Sequence, residues 1–244
     1  MPKLWAKGGS ASLAYACEQL SKTGFSILRA PDKTIDGVLL DVPSFRESDS
    51  PEHIWAPLPE GAAVIGGNLS GKVPARFRCI DLLHDPEYTA QNADITARCA
   101  LRLAAGHLKQ TYRGLPVLIL GWGRIGKCLA RLLRGLDAEV CVFARKPADR
   151  AMLKGLGYGT VTKEELKSAL PRFSVVFNTA PSLLLSREMT ALCPGCLLID
   201  LASQPGVQGD DVLWARGLPG KIAPESAGKL IAETIQRLWK ENAF

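Results

Sequence analysis

The chain has 244 residues, enough for one large domain or two small ones, and its 22% charged and 47% hydrophobic residues are those of an ordinary globular protein. The net charge is +6, but the basic residues are scattered and do not alternate with aromatic ones, so we expect no nucleic-acid partner. No apolar run approaches the roughly 20 residues of a membrane span, and the N-terminus has no continuous apolar segment. We therefore expect a cytoplasmic protein with no membrane segment.

Alternating strand and helix patterns predict a small α/β domain over residues 1–84. The predicted elements are a strand at 3–6, a helix at 10–21, and strands at 25–28, 37–40, 62–65 and 77–80. The polar, proline-containing stretch 41–58 predicts a mobile loop. A helical pattern over about 85–109 predicts a long helix, whose residues 85–107 link this domain to the next one.

A glycine-rich turn follows the apolar strand predicted at 116–120. It consists of Gly121, Trp122, Gly123, Arg124, Ile125 and Gly126. In a dinucleotide-binding motif the first glycine permits the tight turn, the second lets a pyrophosphate approach the backbone, and the third brings the helix against the strand. A helix predicted at 127–133 and a strand at 139–144 complete a βαβ unit of about 30 residues. The six turn residues are therefore predicted to bind a dinucleotide.

The residues after the second strand of this unit bear on the choice of cofactor. An NAD site usually has Asp or Glu about 20 residues beyond the glycines, whereas an Arg there accommodates the 2′-phosphate of NADP. Here the chain reads Ala144-Arg145-Lys146, with Arg150 at the start of the next predicted helix. Cations at this position form charge-assisted hydrogen bonds to a phosphate, which predicts NADP. The alternative is that Arg145 and Lys146 are solvated charges at a strand end.

The pattern continues with helices at 148–156, 163–170 and 186–192, and with strands near 160, at 174–177 and at 197–200. Apolar strands that alternate with helices indicate a doubly wound parallel sheet, here a Rossmann domain over residues 108–223. Ligands of such sheets bind beyond the carboxyl ends of the strands. The residues predicted there for the nicotinamide half of the cofactor are Asn178, Thr179, Ala180, Pro181, Ala202 and Ser203. For Asn178 and Thr179 the alternative is a simple turn.

The stretch 217–228 contains two turns rich in glycine and proline before a predicted helix that runs to Trp239. A helix N-terminus, the hydroxyl of Ser226 and the charge of Lys221 together predict a carboxylate-binding site. The alternative is a rigid connector. The final helix, 224–244, is expected to pack back against the small domain.

Seven cysteines are present, and most lie among apolar neighbours, as small buried side chains in a reducing compartment do. Cys193 and Cys196 have the spacing of a redox or zinc pair. There is no second such pair and no histidine beyond His107 to complete a ligand set, so we expect no metal site.

Taken together, these motifs resemble the A-subunit family of dipicolinate synthase, which is related to the D-2-hydroxyacid dehydrogenases. The resemblance covers about two-thirds of the chain and rests on Tyr88 and on residues 92–97, 121–126, 144–146, 178–181, 199–206, 217–221 and 227–228. It implies an NADP-linked oxidation of a dihydrodipicolinate-type compound to dipicolinate, and the implied partner is a separate B subunit. The chain departs from the family pattern at Ser10, Arg98 and Val207, and these departures bear on the substrate.

The active site is expected in a cleft between the two domains. Asn92 and Thr96, four residues apart on the linking helix, place hydrogen-bond donors on one face. We predict that they bind a small dicarboxylate together with Lys221 and Ser226. The proton that leaves the substrate needs a base. The groups predicted for catalysis are Lys221 as the main anion contact and His84 or Tyr88, unless a water serves as the base.

Two other functions stay open. A general 2-hydroxyacid dehydrogenase uses a histidine late in its nucleotide-binding domain, and the histidines here are His53, His84 and His107, which argues against that reading. The second is a catalytically inert NADP-binding sensor or scaffold that has the dinucleotide fold without the substrate groups. A homo-oligomer is possible under either reading.

Overall fold

The computed structural model describes residues 1–45 and 51–241. Its elements in chain order are β1 (Lys3–Lys7), α1 (Ala11–Lys22), β2 (Ser26–Leu28), β3 (Gly37–Leu40), α2 (Glu52–Trp55), β4 (Ala63–Gly66), β5 (Arg78–Asp81), a 3-10 turn (Leu82–His84), α3 (Pro86–His107), β6 (Pro116–Leu120), α4 (Arg124–Arg134), β7 (Glu139–Phe143), α5 (Pro147–Gly155), β8 (Gly159–Val161), α6 (Lys163–Ala169), a 3-10 turn (Leu170–Arg172), β9 (Val175–Asn178), α7 (Arg187–Thr190), β10 (Leu197–Asp200), β11 (Val212–Trp214), α8 (Leu218–Ile222) and α9 (Pro224–Lys240). Within the described ranges, no helix combines the length and the apolar composition needed to cross a bilayer.

The chain divides into two compact units. The first contains Met1–Asn92 and Pro219–Phe244, and the second contains Ala93–Leu218. The division therefore falls inside α3 and near the start of α8, whereas the sequence patterns placed it at residues 84, 107 and 223. A continuous helix hides such a boundary in the sequence, because its periodicity does not change where its packing partners change.

A five-stranded parallel sheet forms the centre of the first unit, in the order β2-β1-β3-β4-β5. Strands β3 and β4 are buried along their whole length, as expected for central parallel strands covered on both faces. The C-terminal helix α9 packs on α1, where a Cβ atom on Gly228 would lie 2.5 Å from the carbonyl oxygen of Ser12. The ring of Trp239 also meets Phe25 edge to face at 5.5 Å.

The stretch 41–58 differs from the predicted mobile loop in its second part. Residues 46–50 lie outside the described residues, but 52–55 form helix α2, in which Ile54 and Trp55 are buried. The Trp55 ring lies 5.9 Å from that of Phe45 and 6.0 Å from that of Phe77. The loop prediction is wrong here because it followed the polar composition of the stretch, whereas two apolar residues in it, Ile54 and Trp55, are buried in the fold at 5% and 6% exposure.

A six-stranded parallel sheet forms the second unit, in the order β8-β7-β6-β9-β10-β11. Counted from β6, this is the strand order 3-2-1-4-5-6 of the Rossmann fold. The predicted fold class, two parallel-sheet α/β domains of which one is a Rossmann domain, is confirmed. Strand β11 and helix α8 were not predicted, because three residues are too few for a strand pattern and Pro219 and Gly220 lie inside α8.

Candidate functional site

A cavity of about 220 Å³ lies in the second unit, beside the carboxyl ends of β6, β7 and β9. Strands β6 and β9 are neighbours in the sheet but not in the chain, so the cavity lies at the topological switch point, where such sheets bind ligands. The predicted cofactor residues that line it are Gly121, Trp122, Gly123, Arg145, Lys146, Thr179, Ala180 and Pro181. Sequence reasoning missed Phe143, Ala144, Asp149, Ser182 and Leu184, which line it too.

The three glycines of the turn have three different surroundings. Gly121 has φ +107°, and its Cβ would lie 2.8 Å from Thr179 Oγ1. A Cβ on Gly126 would lie 2.3 Å from the carbonyl oxygen of Gly121, whereas one on Gly123 would have no atom within 4 Å. The turn therefore needs a left-handed residue first, leaves open space at the second glycine and joins helix to strand at the third, which fits a bound pyrophosphate.

Helix α4 begins at Arg124, three residues earlier than the sequence pattern predicted. Arg124, Ile125 and Gly126 therefore form its first turn, and they do not line the cavity. Gly123 is the N-cap residue and no side chain caps the helix. The first N–H groups of α4 are consequently left to a ligand or to water.

The loop between β7 and α5 carries charges of both signs. Arg145 and Lys146 are exposed and line the cavity together with Asp149, from the first turn of α5. Arg150 has another role, because its Nη1 donates to the carbonyl oxygens of Ala144 at 2.8 Å and Arg145 at 2.7 Å. Arg150 thus holds the loop in shape, while Arg145 and Lys146 supply the cationic edge of the cavity.

Aromatic rings and cations pack around the indole of Trp122, which lines the cavity. Its indole lies 6.0 Å from the ring of Tyr158 in an edge-to-face arrangement, and Lys127 Nζ lies 5.8 Å from the indole centroid. The guanidinium of Arg134 lies 3.7 Å from the centroid of Tyr158. Such aromatic and cation–π contacts contribute about 0.5–1.5 kcal/mol each and stabilise this position of the indole.

Comparison with known proteins assigns the second unit to a family. Residues 90–212, half of the chain, match the family described as D-isomer specific 2-hydroxyacid dehydrogenase, NAD binding domain. The chain belongs to this family. Membership makes it a dehydrogenase-like oxidoreductase with a domain for a nicotinamide cofactor, and the glycine turn and the cavity described above fit such a cofactor.

The resemblance to the A subunits of dipicolinate synthase is also confirmed. The dipicolinate synthase A subunit of Bacillus subtilis (strain 168) is 32% identical over 176 residues, which cover 68% of this chain and 59% of that protein. The chain thus matches less than two-thirds of the length of this curated relative. The crystal structure of dipicolinate synthase, A chain, from Bacillus subtilis has a TM-score of 0.81 at 26% identity over 98% of this chain and 96% of that one. The crystal structure of the A subunit from Bacillus halodurans has a TM-score of 0.82 at 23% identity, covers 97% of each chain and shows the shared fold.

The dehydrogenase domain has a polar network at the carboxyl ends of β9 and β10. Asn178 is fully buried and does not line the cavity. Its Nδ2 donates to Asp200 Oδ1 at 2.8 Å and to the carbonyl oxygen of Ala180 at 3.1 Å, and its Oδ1 accepts from the backbone N–H of Ala180. Asn178 therefore holds the cavity loop that begins at Thr179, and its amide is directed into the protein rather than toward the cavity.

The loop after β10 is attached to the same network. Ala202 is buried and its backbone N–H donates to Asp200, whereas Ser203 is exposed, and neither residue lines the cavity. The backbone N–H of Val207, one of the departures from the family pattern, donates to Asp200 Oδ2 at 3.1 Å. A Cβ on Gly206 would lie 2.4 Å from Asn178 Nδ2, so this loop needs a glycine where it meets the network.

The residues predicted to bind a substrate are distributed over both units. Asn92, Lys221 and Ser226 belong to the first unit and Thr96 to the second. Asn92 is half-buried and Thr96 is 8% exposed, while Lys221 and Ser226 are exposed. Lys221 lies in the short helix α8 rather than in a glycine–proline turn, and Ser226 lies in the first turn of α9.

The two side chains predicted as bases differ in exposure. Tyr88 is 3% exposed, and burial raises the pKa of its phenol to about 12, so the hydroxyl stays protonated at neutral pH. The side chain of His84 is 74% exposed, with Nδ1 3.6 Å from Asp81 Oδ2.

The other two departures from the family pattern have structural partners. Ser10 caps α1 by accepting from the N–H of Leu13 at 3.1 Å, and its hydroxyl also bonds to Asp41. Arg98 Nε donates to Asp94 Oδ2 at 2.7 Å. The opposite oxygen of Asp94 accepts from Arg131 Nη2 at 3.0 Å. Arg98 is thereby part of an ion-pair group on the second unit.

The described cysteines are all free, and they are less buried than predicted. Cys193 is buried, but Cys79 is exposed on β5, at the edge of its sheet, which corrects the expectation for that residue. Burial raises the pKa of Cys196 to about 12 and that of Cys193 as well, so both thiols are protonated at neutral pH. The described residues contain no group of three or more metal-binding side chains.

Proposed function

We propose that the protein is an NADP-dependent oxidoreductase that resembles the A subunit of dipicolinate synthase and oxidises a dihydrodipicolinate-type cyclic dicarboxylate. The observation that carries the cofactor assignment is the cationic edge of the cavity. Arg145 and Lys146 follow β7, where an NAD site usually has a carboxylate, and both line the cavity beside the glycine turn. Charge-assisted hydrogen bonds from two cations favour a 2′-phosphate over a 2′-hydroxyl.

Asp149 opposes the binding of a 2′-phosphate, because its carboxylate lines the same cavity and carries a charge of the same sign. Asp149 lies in the first turn of α5, beyond Arg145 and Lys146, rather than directly at the end of β7. Two cations against one carboxylate leave this edge with a net positive charge. On balance the charges favour NADP.

In the proposed reaction, an NADP held by the glycine turn, Arg145 and Lys146 would supply the acceptor for a hydride from the dihydro ring of the substrate. The chain supplies the other groups. Lys221 attracts one carboxylate of the substrate, Asn92, Thr96 and Ser226 donate hydrogen bonds, and His84 or a water takes the proton that leaves the ring. A B subunit of dipicolinate synthase is the partner that the relatives suggest, and the substrate is a small dicarboxylate.

A second function is favoured by the surroundings of Tyr88 and His84, the two side chains predicted as bases. The buried Tyr88 is protonated at neutral pH, and the exposed His84 has its Nδ1 3.6 Å from a carboxylate oxygen of Asp81. A domain with the nucleotide cavity in a chain whose Tyr88 phenol stays protonated fits a catalytically inert NADP sensor or scaffold.

Titration calorimetry with NADP and NAD separately tests the cofactor. We expect tighter binding of NADP, and equal affinities would contradict the assignment. Hydride transfer, followed by the absorbance of the reduced nicotinamide, is then measured with cyclic and open-chain dicarboxylates, with and without an added B subunit. Turnover of a cyclic dicarboxylate supports the oxidoreductase, whereas binding of NADP without turnover of any of these compounds supports the sensor.

A further inference from the structure

A buried carboxylate lies at the carboxyl end of β10, next to the cavity loop. Asp200 is 1% exposed. Its Oδ1 accepts hydrogen bonds from Asn178 Nδ2 at 2.8 Å and from the backbone N–H of Ala202 at 3.0 Å. Its Oδ2 accepts from the backbone N–H groups of Gly206 at 2.7 Å and Val207 at 3.1 Å.

The four partners of Asp200 are neutral N–H donors. Among the described residues no ion pair within 4.0 Å includes Asp200. Because each oxygen already accepts two hydrogen bonds, the surroundings match the ionised form, which only accepts. A buried carboxylate is normally paired with a cation, because removing an uncompensated charge from water is costly. The charge of Asp200 is instead held by dipoles and is not cancelled locally.

A single amide group separates this charge from the cavity loop. Asn178 Nδ2 donates both to Asp200 Oδ1 and to the carbonyl oxygen of Ala180, and Ala180 lines the cavity with Thr179 and Ser182. In a Rossmann domain the adenosine half of a bound dinucleotide lies at the loop after the second strand, here β7. The loops after β9 and β10 border the other half, which carries the nicotinamide. The buried charge is therefore on the nicotinamide side of the cavity, where little water screens it.

We propose that Asp200 biases this site toward the oxidised form of the nicotinamide cofactor. This inference rests on the proposed function, namely that the cavity binds a nicotinamide nucleotide. The oxidised nicotinamide ring carries a positive charge and the reduced ring is neutral, so a fixed negative charge nearby stabilises the oxidised form. The two forms share the adenosine and phosphate groups, and Arg145, Lys146 and the glycine turn consequently do not distinguish them. Because the reduced nucleotide is the weaker ligand of a site with this bias, it dissociates more readily than the oxidised nucleotide.

The test compares dissociation constants for NADP⁺ and NADPH, measured by titration calorimetry. We expect the unmodified protein to bind NADP⁺ more tightly than NADPH. In Asp200→Asn the side chain keeps its size and loses its charge, and the affinity for NADP⁺ should fall about tenfold while that for NADPH changes less than about twofold. The matched control is Asn178→Ala, which loosens the same network and keeps the charge. It should weaken both forms by the same factor.

Three results would overturn the inference. The first is an unmodified protein that binds NADPH as tightly as NADP⁺, a measurement that does not depend on the folding of any variant. The second is an equal loss of affinity for both forms in Asp200→Asn, which would make Asp200 a structural residue only. The third is the absence of binding of either nucleotide to the unmodified protein. This result would refute the proposed function itself, whereas the first two results leave nucleotide binding intact and refute only the role of Asp200.

Discussion

Gly126 lies against Gly121 so closely that a Cβ atom on Gly126 would be 2.3 Å from the Gly121 carbonyl oxygen. The first turn of α4 and the end of β6 therefore meet backbone to backbone, beside a cavity wall that also contains Thr179. A backbone oxygen cannot move aside as a flexible side chain can. The contact leads to a prediction about stability, and the open space at Gly123 leads to one about binding.

Gly126→Ala should lower the free energy of unfolding by about 1–3 kcal/mol, because the added methyl group forces α4 away from β6. Urea denaturation followed by circular dichroism measures the change. The matched control is Gly123→Ala, whose methyl group would meet no atom within 4 Å, and we expect a change below about 0.5 kcal/mol. Equal stabilities of the two variants would show that the close contact is absent.

Gly123→Val should abolish the binding of NADPH while the domain stays folded. The branched side chain fills the space next to the backbone that a pyrophosphate requires. Binding is measured by titration calorimetry, and the melting temperature serves as the folding control. If the variant binds NADPH normally, the pyrophosphate does not lie at this turn.

The double change Arg145→Ala, Lys146→Ala should weaken NADPH binding at least about tenfold and leave NADH binding nearly unchanged. Hydrogen bonds to charged groups contribute about 1.5–3 kcal/mol each, and exposure of both side chains reduces this value. The control is Lys163→Ala, Lys167→Ala, which removes the same charge from exposed positions on α6 that do not line the cavity. A similar loss in both double variants would indicate an effect of net charge alone.

Lys221→Met should weaken the binding of a cyclic dicarboxylate and lower its turnover, because the exposed ammonium is predicted to bind one carboxylate. Lys229→Met is the control, since Lys229 is an exposed lysine on α9 whose Nζ lies 3.8 Å from Glu233 Oε1. Isothermal titration with dipicolinate measures binding, and circular dichroism reports on the fold. Unchanged binding and turnover in a folded Lys221→Met variant would show that Lys221 does not bind the substrate carboxylate, whereas the absence of turnover in the unmodified protein would favour the inert sensor.

Asp85 makes the stability of the first unit dependent on pH. Burial of this carboxyl raises its pKa, but hydrogen bonds from the Tyr88 N–H and from Arg237 outweigh burial and lower the pKa below its ordinary value. The ionised form therefore stabilises the folded chain. This contribution is complete above the unfolded pKa of about 3.9 and is lost as the pH falls through the lower folded value.

Asp85→Asn keeps an oxygen that can accept from Tyr88 and removes the charge 2.7 Å from Arg237. We expect a loss of about 1–2 kcal/mol at pH 7 that decreases as the pH falls to about 3, measured by denaturant titration. Asp210→Asn is the control, because that ion pair with Arg187 is exposed and should not contribute measurably to stability. A loss for Asp85→Asn that does not depend on pH would contradict the role of its charge.

Much of the fold was predictable because short local sequence patterns mark its strands and helices. The apolar strands β6, β7, β9 and β10 and the glycine spacing between β6 and α4 appear in the sequence as short runs with clear punctuation. The elements that escaped prediction lack such patterns. Strand β11 has three residues, α2 is a single turn inside a polar stretch, and α8 contains a proline and a glycine.

The sequence by itself determined the parallel α/β class, the position of the glycine-rich turn and the cations at the end of β7. Only the tertiary structure decided how side chains are used. Asn178 turns toward Asp200 and Arg150 toward two carbonyl oxygens, although both are polar residues next to a predicted binding loop. The physical reason is that buried donors and acceptors must be paired, and the partners come from parts of the chain up to 22 residues away that only folding brings together.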